Sequence, residues 1–359
     1  MTIDIENFKG VDHLYINKKF NKKPTEKEVG FVTELSKQIY NNKHEFTKKT
    51  KELQKKYSIK PRQTRLNLLY RTLLQNKKID ENLSFEEMII SKKSRVNSGI
   101  QQISVLTSPE RFSCLHDCAY CPNFKGMPRS YIPEEPACKR AEQNDFDACK
   151  QFWDRATSYS CAGHVVDKIE VIVLGGTWDN YEWEYRKTFI RDLFYAANTF
   201  YQVEKRERKT LIEEQTINES ASCKIIGLTI ETRPDYCNKP EYIKSYIELG
   251  VTRVQFGVQS IYDKVLKLIK RGCKHKDTVE ATKMIHDCGY KHIIHIMPNL
   301  PYPNKYDDGM HTCIEKDEAM FDYLIDSPEC QADEWKIYPT SIPKLNGEEE
   351  VYNHTKIED

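Results

Sequence analysis

No stretch of this sequence approaches the roughly 18 apolar residues in a row that a membrane-crossing helix needs, so no membrane partner is expected. The N-terminus, Met1 to Asn7, has neither the basic start nor the apolar run of a secretory signal, and the expected location is cytoplasmic. Net charge is nearly absent: 55 Lys and Arg against 54 Asp and Glu leave +1. With export not expected, the twelve cysteines are read as reduced thiols, some of them metal ligands, and not as a disulfide framework. What is present is a chain of 359 residues, 39% hydrophobic and 30% charged, long enough for one large α/β domain and a smaller appended one.

The small net charge hides an uneven distribution. Residues 1–100 hold 22 Lys and Arg against 12 Asp and Glu, a net +10 that leaves −9 for the rest. The densest part, Lys43 to Lys78, contains Lys48, Lys49, Lys51, Lys55, Lys56, Lys60, Arg62, Arg65, Arg71 and Lys77. Such a face attracts phosphate backbones by charge and counterion release. The alternative is the solvated side of ordinary helices.

Along the chain, residues 1–28 are polar and aperiodic and are expected to be a flexible arm. From Phe31 to Leu74, Val32, Leu35 and Ile39, then Leu53 and Tyr57, then Leu66, Leu69, Tyr70 and Leu73 recur at helical spacing, broken near Lys60 and Pro61. This predicts a basic helical module over 29–95, with a hinge near Lys92 to Ser98. Beyond it, short apolar strands alternate with amphipathic helices. The strands are predicted at Ile100–Leu106, Ile169–Leu174, Ile225–Ile230, Arg253–Val258, His292–Met297 and Glu334–Tyr338, and helices at Tyr185–Phe200, Lys239–Leu249 and Thr278–Cys288. Strand-then-helix repetition predicts an α/β fold, a parallel sheet curled into a partial (β/α)6 barrel over 96–340, whose chemistry sits at the C-terminal strand ends. Val203–Ser222 reads as an exposed charged insertion, and 341–359 as a polar tail.

After the first strand come Cys114, Cys118 and Cys121, with Tyr120 before the third. Three thiolates can each hold one iron of a 4Fe-4S cubane and leave the fourth iron open. A structural zinc site is the alternative, with His116, Cys138 or Cys149 as fourth ligand. The spacing, directly after a first strand, resembles the radical S-adenosylmethionine (SAM) signature. Gly175, Gly176 and Thr177 close the second strand, Glu231, Arg233 and Asp235 follow the third, and Gln259 and Ser260 the fourth. Each alone is an ordinary loop group; together they put ligand-binding chemistry at the barrel mouth.

The segments Val166–Glu170, Leu174–Thr177, Thr229–Asp235, Phe256–Ser260, Met297–Pro301 and Trp335–Thr340 resemble the catalytic subunit of Elongator, from about Phe31 to Thr340. That resemblance implies carboxymethylation of carbon 5 of the wobble uridine of tRNA, with SAM and acetyl-CoA as co-substrates, and Elongator-like subunits as partners. It implies that Cys114, Cys118 and Cys121 hold the cluster and that Gly175, Gly176, Thr177, Glu231, Arg233 and Gln259 position SAM. It further assigns Lys168 to the acetyl-CoA site and the basic module to tRNA. Three departures go with it. The first cysteine gap is shorter than in the family, Cys273 stands where the family has His, and the family's C-terminal acetyltransferase-like domain has no counterpart before Asp359. The rival readings are a different radical SAM modification of tRNA, and a non-catalytic tRNA-binding or Elongator-associated protein.

Overall fold

The computed structural model describes residues 23–90, 98–111, 114–202, 204–303 and 312–340. Most of the expected arm, most of the hinge and the whole tail lie outside the described residues. The chain divides into two compact units.

The first unit comprises Met1–Ile103, Cys149–Ile169 and Leu193–Ile225. It opens with α1 (Glu26–Ser36), started by a capping box in which Thr25 accepts from Glu28 N–H and the Glu28 carboxylate accepts from Thr25 N–H. Next is α2 (Lys43–Tyr57), capped by Asn42 and ended by Ser58 in the left-handed region. Then α3 (Gln63–Gln75) follows the Lys60–Pro61 break, and α4 (Leu83–Ile89) closes the group. Their apolar faces share one core of Val29, Phe31, Val32, Leu35, Phe46, Leu53, Leu66, Leu69, Tyr70, Leu73 and Phe85. Ile39 departs from the predicted periodicity: α1 ends at Ser36, and Ile39 is exposed beyond it.

Two later stretches join these helices because of contacts no local pattern carries. The Trp153 indole N–H donates to Ala196 O at 2.8 Å, linking α6 (Ala148–Cys161) to α7 (Trp183–Asn198). A Cβ on Gly163 would lie 3.0 Å from the Ile90 side chain, next to α4. The segment expected as an exposed insertion is partly buried. It contains α8 (Leu211–Asn218), where Leu211 is covered and Glu214 is fully buried, held by both terminal nitrogens of Arg206 at 2.7 and 2.6 Å.

The second unit comprises Ser104–Ala148, Glu170–Asp192 and Ile226–Asp359. The strands β1 (Gln101–Leu106), β2 (Lys168–Leu174), β3 (Lys224–Thr232), β4 (Arg253–Gln259), β5 (Lys291–Ile296) and β6 (Glu334–Ile337) form one parallel sheet in sequential order, a half-barrel as expected. All six overlap their predicted positions. Register is read directly in Thr229 opposite Arg253, Val254 opposite His292, and Ile293 opposite Glu334. The strands alternate with α5 (Pro136–Gln143), α9 (Pro234–Cys237), α10 (Pro240–Leu249), α11 (Asp263–Leu268), α12 (His275–Asp287) and α13 (Cys313–Asp326). Six of the seven β4 residues are buried, as expected for a parallel strand covered on both faces. Gly250 ends α10 in the left-handed conformation and turns the chain into β4. Among the described residues, no helix is long and apolar enough to cross a membrane.

Candidate active site

The thiol loop is fastened from both sides. Cys121 N–H donates to Cys118 O at 3.0 Å, and Ala119 N–H donates to Ile269 O, just past α11, at the same distance. Cys118 is buried and Cys114 and Cys121 are partly covered; none is in a disulfide. Arg271 Nη1 lies 3.9 Å and Arg233 Nη1 4.0 Å from Cys118 Sγ. Cys121 Sγ lies 3.0 Å from Ser130 Oγ. Burial pushes the Cys121 thiol up, opposed by Ser130 and by the nearby Arg129 guanidinium. Three cationic side chains thus surround sulfurs that must ionise to bind metal.

The loop forms one wall of an open pocket. Cys114, Cys118 and Cys121 line it together with Gly176, Thr177, Glu231, Arg233, Gln259, Arg271 and His295. Residues from the ends of four strands therefore converge on the thiols. Gly175 is not itself a lining residue, but its backbone builds the wall. Its φ of +138° and the overlap that any Cβ there would make with Thr107 Oγ1 leave no room for a side chain. Gly175→Ala is expected to cost about 3 kcal/mol or more, from backbone strain plus overpacking, read by denaturant unfolding. Adding Thr107→Ala should recover the overpacking part and leave the strain; an unchanged midpoint in Gly175→Ala would contradict this geometry.

The strand-end residues divide by what they touch. The Glu231 carboxylate accepts from the Tyr131 hydroxyl and lies 4.0 Å from His295 Nδ1. Burial raises its pKa, offset by Tyr131, by the Lys336 charge and by the backbone of the neighbouring Gly–Gly turn. Arg233 is committed similarly, to Asp235 Oδ1 at 2.9 Å and the Arg271 carbonyl at 2.7 Å. Gln259 differs: its Oε1 is buried without a partner, and its backbone has φ +66°. A non-glycine residue held there, next to a register shift at Gly257, is strained in a way that accompanies binding sites. Lys168 is not among the pocket residues. It is the first residue of β2, at the strand end away from Gly175, with its side chain 58% exposed and Nζ 3.9 Å from Asp167.

A single zinc ion fits this site poorly. Tetrahedral zinc with sulfur bonds of about 2.3 Å needs sulfurs about 3.8 Å apart. Among the described residues, only His286, His292 and Asp333 bring three ligand atoms within 4.8 Å of one another. The proposed fourth ligands are also engaged elsewhere. Cys138 is in an apolar core with Leu106 and Met127, Cys149 meets Arg208, and His116 Nε2 lies 3.5 Å from Asp235. A cubane, with each thiolate on a different iron, suits the wider arrangement. The unpartnered Gln259 carbonyl and the adjacent guanidiniums fit a polar, carboxylate-bearing ligand beside it.

A family model described as the Radical SAM superfamily matches residues 164–308, from just before β2 through β5. The tRNA uridine(34) acetyltransferase of Methanocaldococcus infernus is 40% identical over 261 residues, 71% of this chain and 46% of that protein. Elongator complex protein 3 of Schizosaccharomyces pombe is 32% identical over 273 residues, 73% of this chain and 47% of that protein. Over about 70% of its length the chain is similar to Elongator-type proteins, and residues 164–308 match the Radical SAM model. The solved structure of an N-terminally truncated Elp3 from archaeal Methanocaldococcus infernus agrees, with a TM-score of 0.52 and 36% identity over 67% of this chain and 46% of that one. The chain spans about half the length of the curated relatives it matches.

Cofactors of the radical SAM family are a 4Fe-4S cluster and SAM. The thiol loop lies outside the matched residues 164–308, so its place here rests on the spacing and geometry of the three cysteines. Four residues in or against the pocket are not marked by the sequence. Tyr131 and Arg271 come from loops, His295 from β5 and Lys336 from β6. His295 Nε2 and Lys336 Nζ both reach Gln255 Oε1, at 3.4 and 2.6 Å. Burial, with Lys336 and Arg271 nearby, pushes the His295 imidazole down to about 3, so it is neutral near pH 7. The available signal is a basic residue at an interior position of two short strands, which a buried sheet tolerates only with partners.

Proposed function

We propose that this chain is a radical SAM enzyme that modifies carbon 5 of the wobble uridine of tRNA, by carboxymethylation with acetyl-CoA as co-substrate. The observation that carries the reading is the convergence of three thiols of one loop with the strand-end groups Gly176, Thr177, Glu231 and Gln259 around one pocket. Cys114, Cys118 and Cys121 would hold the cluster, which when bound together with SAM would supply radical chemistry. The chain's own residues then orient and exclude. Gln259 offers its free carbonyl to SAM, Gly176 and Thr177 offer backbone, and Glu231, held by Tyr131, lines the same pocket. Arg233 and Arg271 keep Cys118 beside positive charge. His295, neutral near pH 7, and Lys336 form a polar group joined through Gln255. Lys168 contributes an ammonium for an acetyl-CoA phosphate.

The name of the relatives, tRNA uridine(34) acetyltransferase, supports tRNA as the substrate. So does the basic module of residues 29–95. On it Lys51, Lys55 and Lys60 line a shallow groove at the C-terminal end of α2, and no ion pair engages them among the described residues. Phosphate contacts there would position the nucleic acid without reading sequence. Elongator-like subunits are the proposed protein partners, and the cytoplasm the proposed location.

The test is mass spectrometry of the wobble nucleoside after anaerobic incubation of tRNA with enzyme, SAM and reductant, with and without acetyl-CoA. A carboxymethyl adduct that requires acetyl-CoA and diminishes in Lys168→Ala is expected. SAM cleavage with another adduct would replace this reading by a different modification, and a loaded cluster that never cleaves SAM would leave a non-catalytic tRNA-binding protein.

A further inference from the structure

At the end of β5 away from the pocket, three potential metal ligands from separate elements meet. His286 is in the last turn of α12, His292 is the second residue of β5, and Asp333 immediately precedes β6. Their ligand atoms lie within 4.8 Å of one another. We propose that His286, His292 and Asp333 bind a divalent transition-metal ion of zinc's class, which pins α12 to the last two strands and is independent of the cluster site.

The geometry is close to what such an ion requires. His292 Nδ1 and His286 Nε2 are 3.1 Å apart. Two nitrogens bound to one tetrahedral zinc at about 2.0–2.1 Å are separated by about 3.3 Å. Two of the ligands are held before any ion arrives. The His292 ring is fully buried and stacked on Phe256, with centroids 5.1 Å apart and planes at 30°. Asp333 is tied to the His292 backbone in both directions: its carboxylate accepts from His292 N–H at 2.8 Å, and its own N–H donates to His292 O at 3.0 Å. Preorganisation of this kind lowers the entropy that binding must overcome. The third ligand, His286, is exposed, as is Asp333, so an ion has a route in and a water can complete the tetrahedron.

An imidazole pair with one carboxylate selects zinc-like ions over magnesium or calcium, which prefer all-oxygen sites. Two native contacts compete. The two imidazoles share a hydrogen bond without metal, and Lys291 Nζ lies 3.2 Å from Asp333 Oδ1 and neutralises it. The ion would replace both, so Lys291 and the imidazole–imidazole bond together set the threshold at which the site fills.

Zinc chloride is titrated calorimetrically into full-length protein, wild type and variants, with iron and sulfide loading identical across the series. Any zinc taken up by the cluster cysteines is common to all and cancels. His286→Ala changes an exposed side chain and should keep the fold, checked by circular dichroism; Asp333→Asn is the second variant and retains the local hydrogen bonding. Removing a ligand exceeds the 10–100-fold cost of losing an outer-shell partner, so each variant should weaken one zinc equivalent by about 100-fold or more. Lys291→Gln should tighten the same equivalent several-fold. Zinc should raise the unfolding temperature of the wild type but not of His286→Ala. Identical titrations for wild type and both ligand variants would overturn the proposal. So would a zinc equivalent that survives His286→Ala but disappears in Cys288→Ser, the exposed thiol two residues away.

Discussion

Cys118→Ala is expected to lose the iron–sulfur cluster and, with it, all release of 5′-deoxyadenosine from SAM. Cys118 is the buried member of the triad, and two guanidiniums, from Arg233 and Arg271, lie about 4 Å from its sulfur. Removing the thiolate takes away one of three protein ligands and leaves two cations facing a cavity, so neither the cluster nor its neighbours can compensate. Anaerobic reconstitution should give about four irons per chain in the wild type and only background in the variant, with 5′-deoxyadenosine at the level of an enzyme-free control. Cys138→Ala is the matched control. Cys138 is fully buried among apolar side chains in another part of the same unit, so its loss should cost about 1 kcal/mol of stability and spare the cluster. Full iron content in Cys118→Ala, or zinc in place of iron in the wild type, would reverse the assignment.

The largest stability effect should come from a residue with no role in the chemistry. Asp179 follows β2 and is completely enclosed. Its Oδ1 accepts from Arg186 Nη1 at 3.0 Å, and its Oδ2 accepts from the Thr232 hydroxyl at 2.5 Å and the Tyr246 hydroxyl at 2.6 Å. It thereby joins α7, the end of β3 and α10. Breaking a buried pair by deleting one partner leaves the other charge stranded, at about 3–5 kcal/mol. Asp179→Ala should therefore lower the denaturant midpoint by that equivalent, or prevent accumulation of folded protein. The double change Asp179→Ala with Arg186→Met removes the stranded guanidinium and should be less destabilising than Asp179→Ala alone. Additive losses in the double variant would show that the pair is not coupled.

Much of the barrel is legible in the order of the amino acids alone. The runs at Ile169–Leu174, Ile225–Ile230 and Arg253–Val258 are short, apolar and flanked by polar or glycine-bearing turns, and a parallel sheet buries such runs on both faces. The observed strands differ from these expectations by one or two residues at their ends. Ile39 and the segment after Val203 depart from expectation for a common reason. An exposed Ile and a buried Glu214 both contradict composition, and the second is made possible by Arg206, the Lys209 amide and Asn198, which all donate to its carboxylate.

The sequence by itself determined the strand–helix alternation, the three-thiol spacing, the glycine turn after β2 and the concentration of positive charge before residue 100. These depend on residues within a few positions of one another, where periodicity, turn preference and charge act directly. Only the tertiary structure decided what those residues do at the site. It showed that Glu231 accepts from Tyr131, 100 positions away, and that Arg271 stands beside Cys118 across 153 positions. It also put Lys168 at the far end of its strand from the pocket, and His286 against His292 and Asp333. Side-chain partners of that kind are set by which strands and loops the closed sheet brings together, and a single sequence carries no local mark of the pairing.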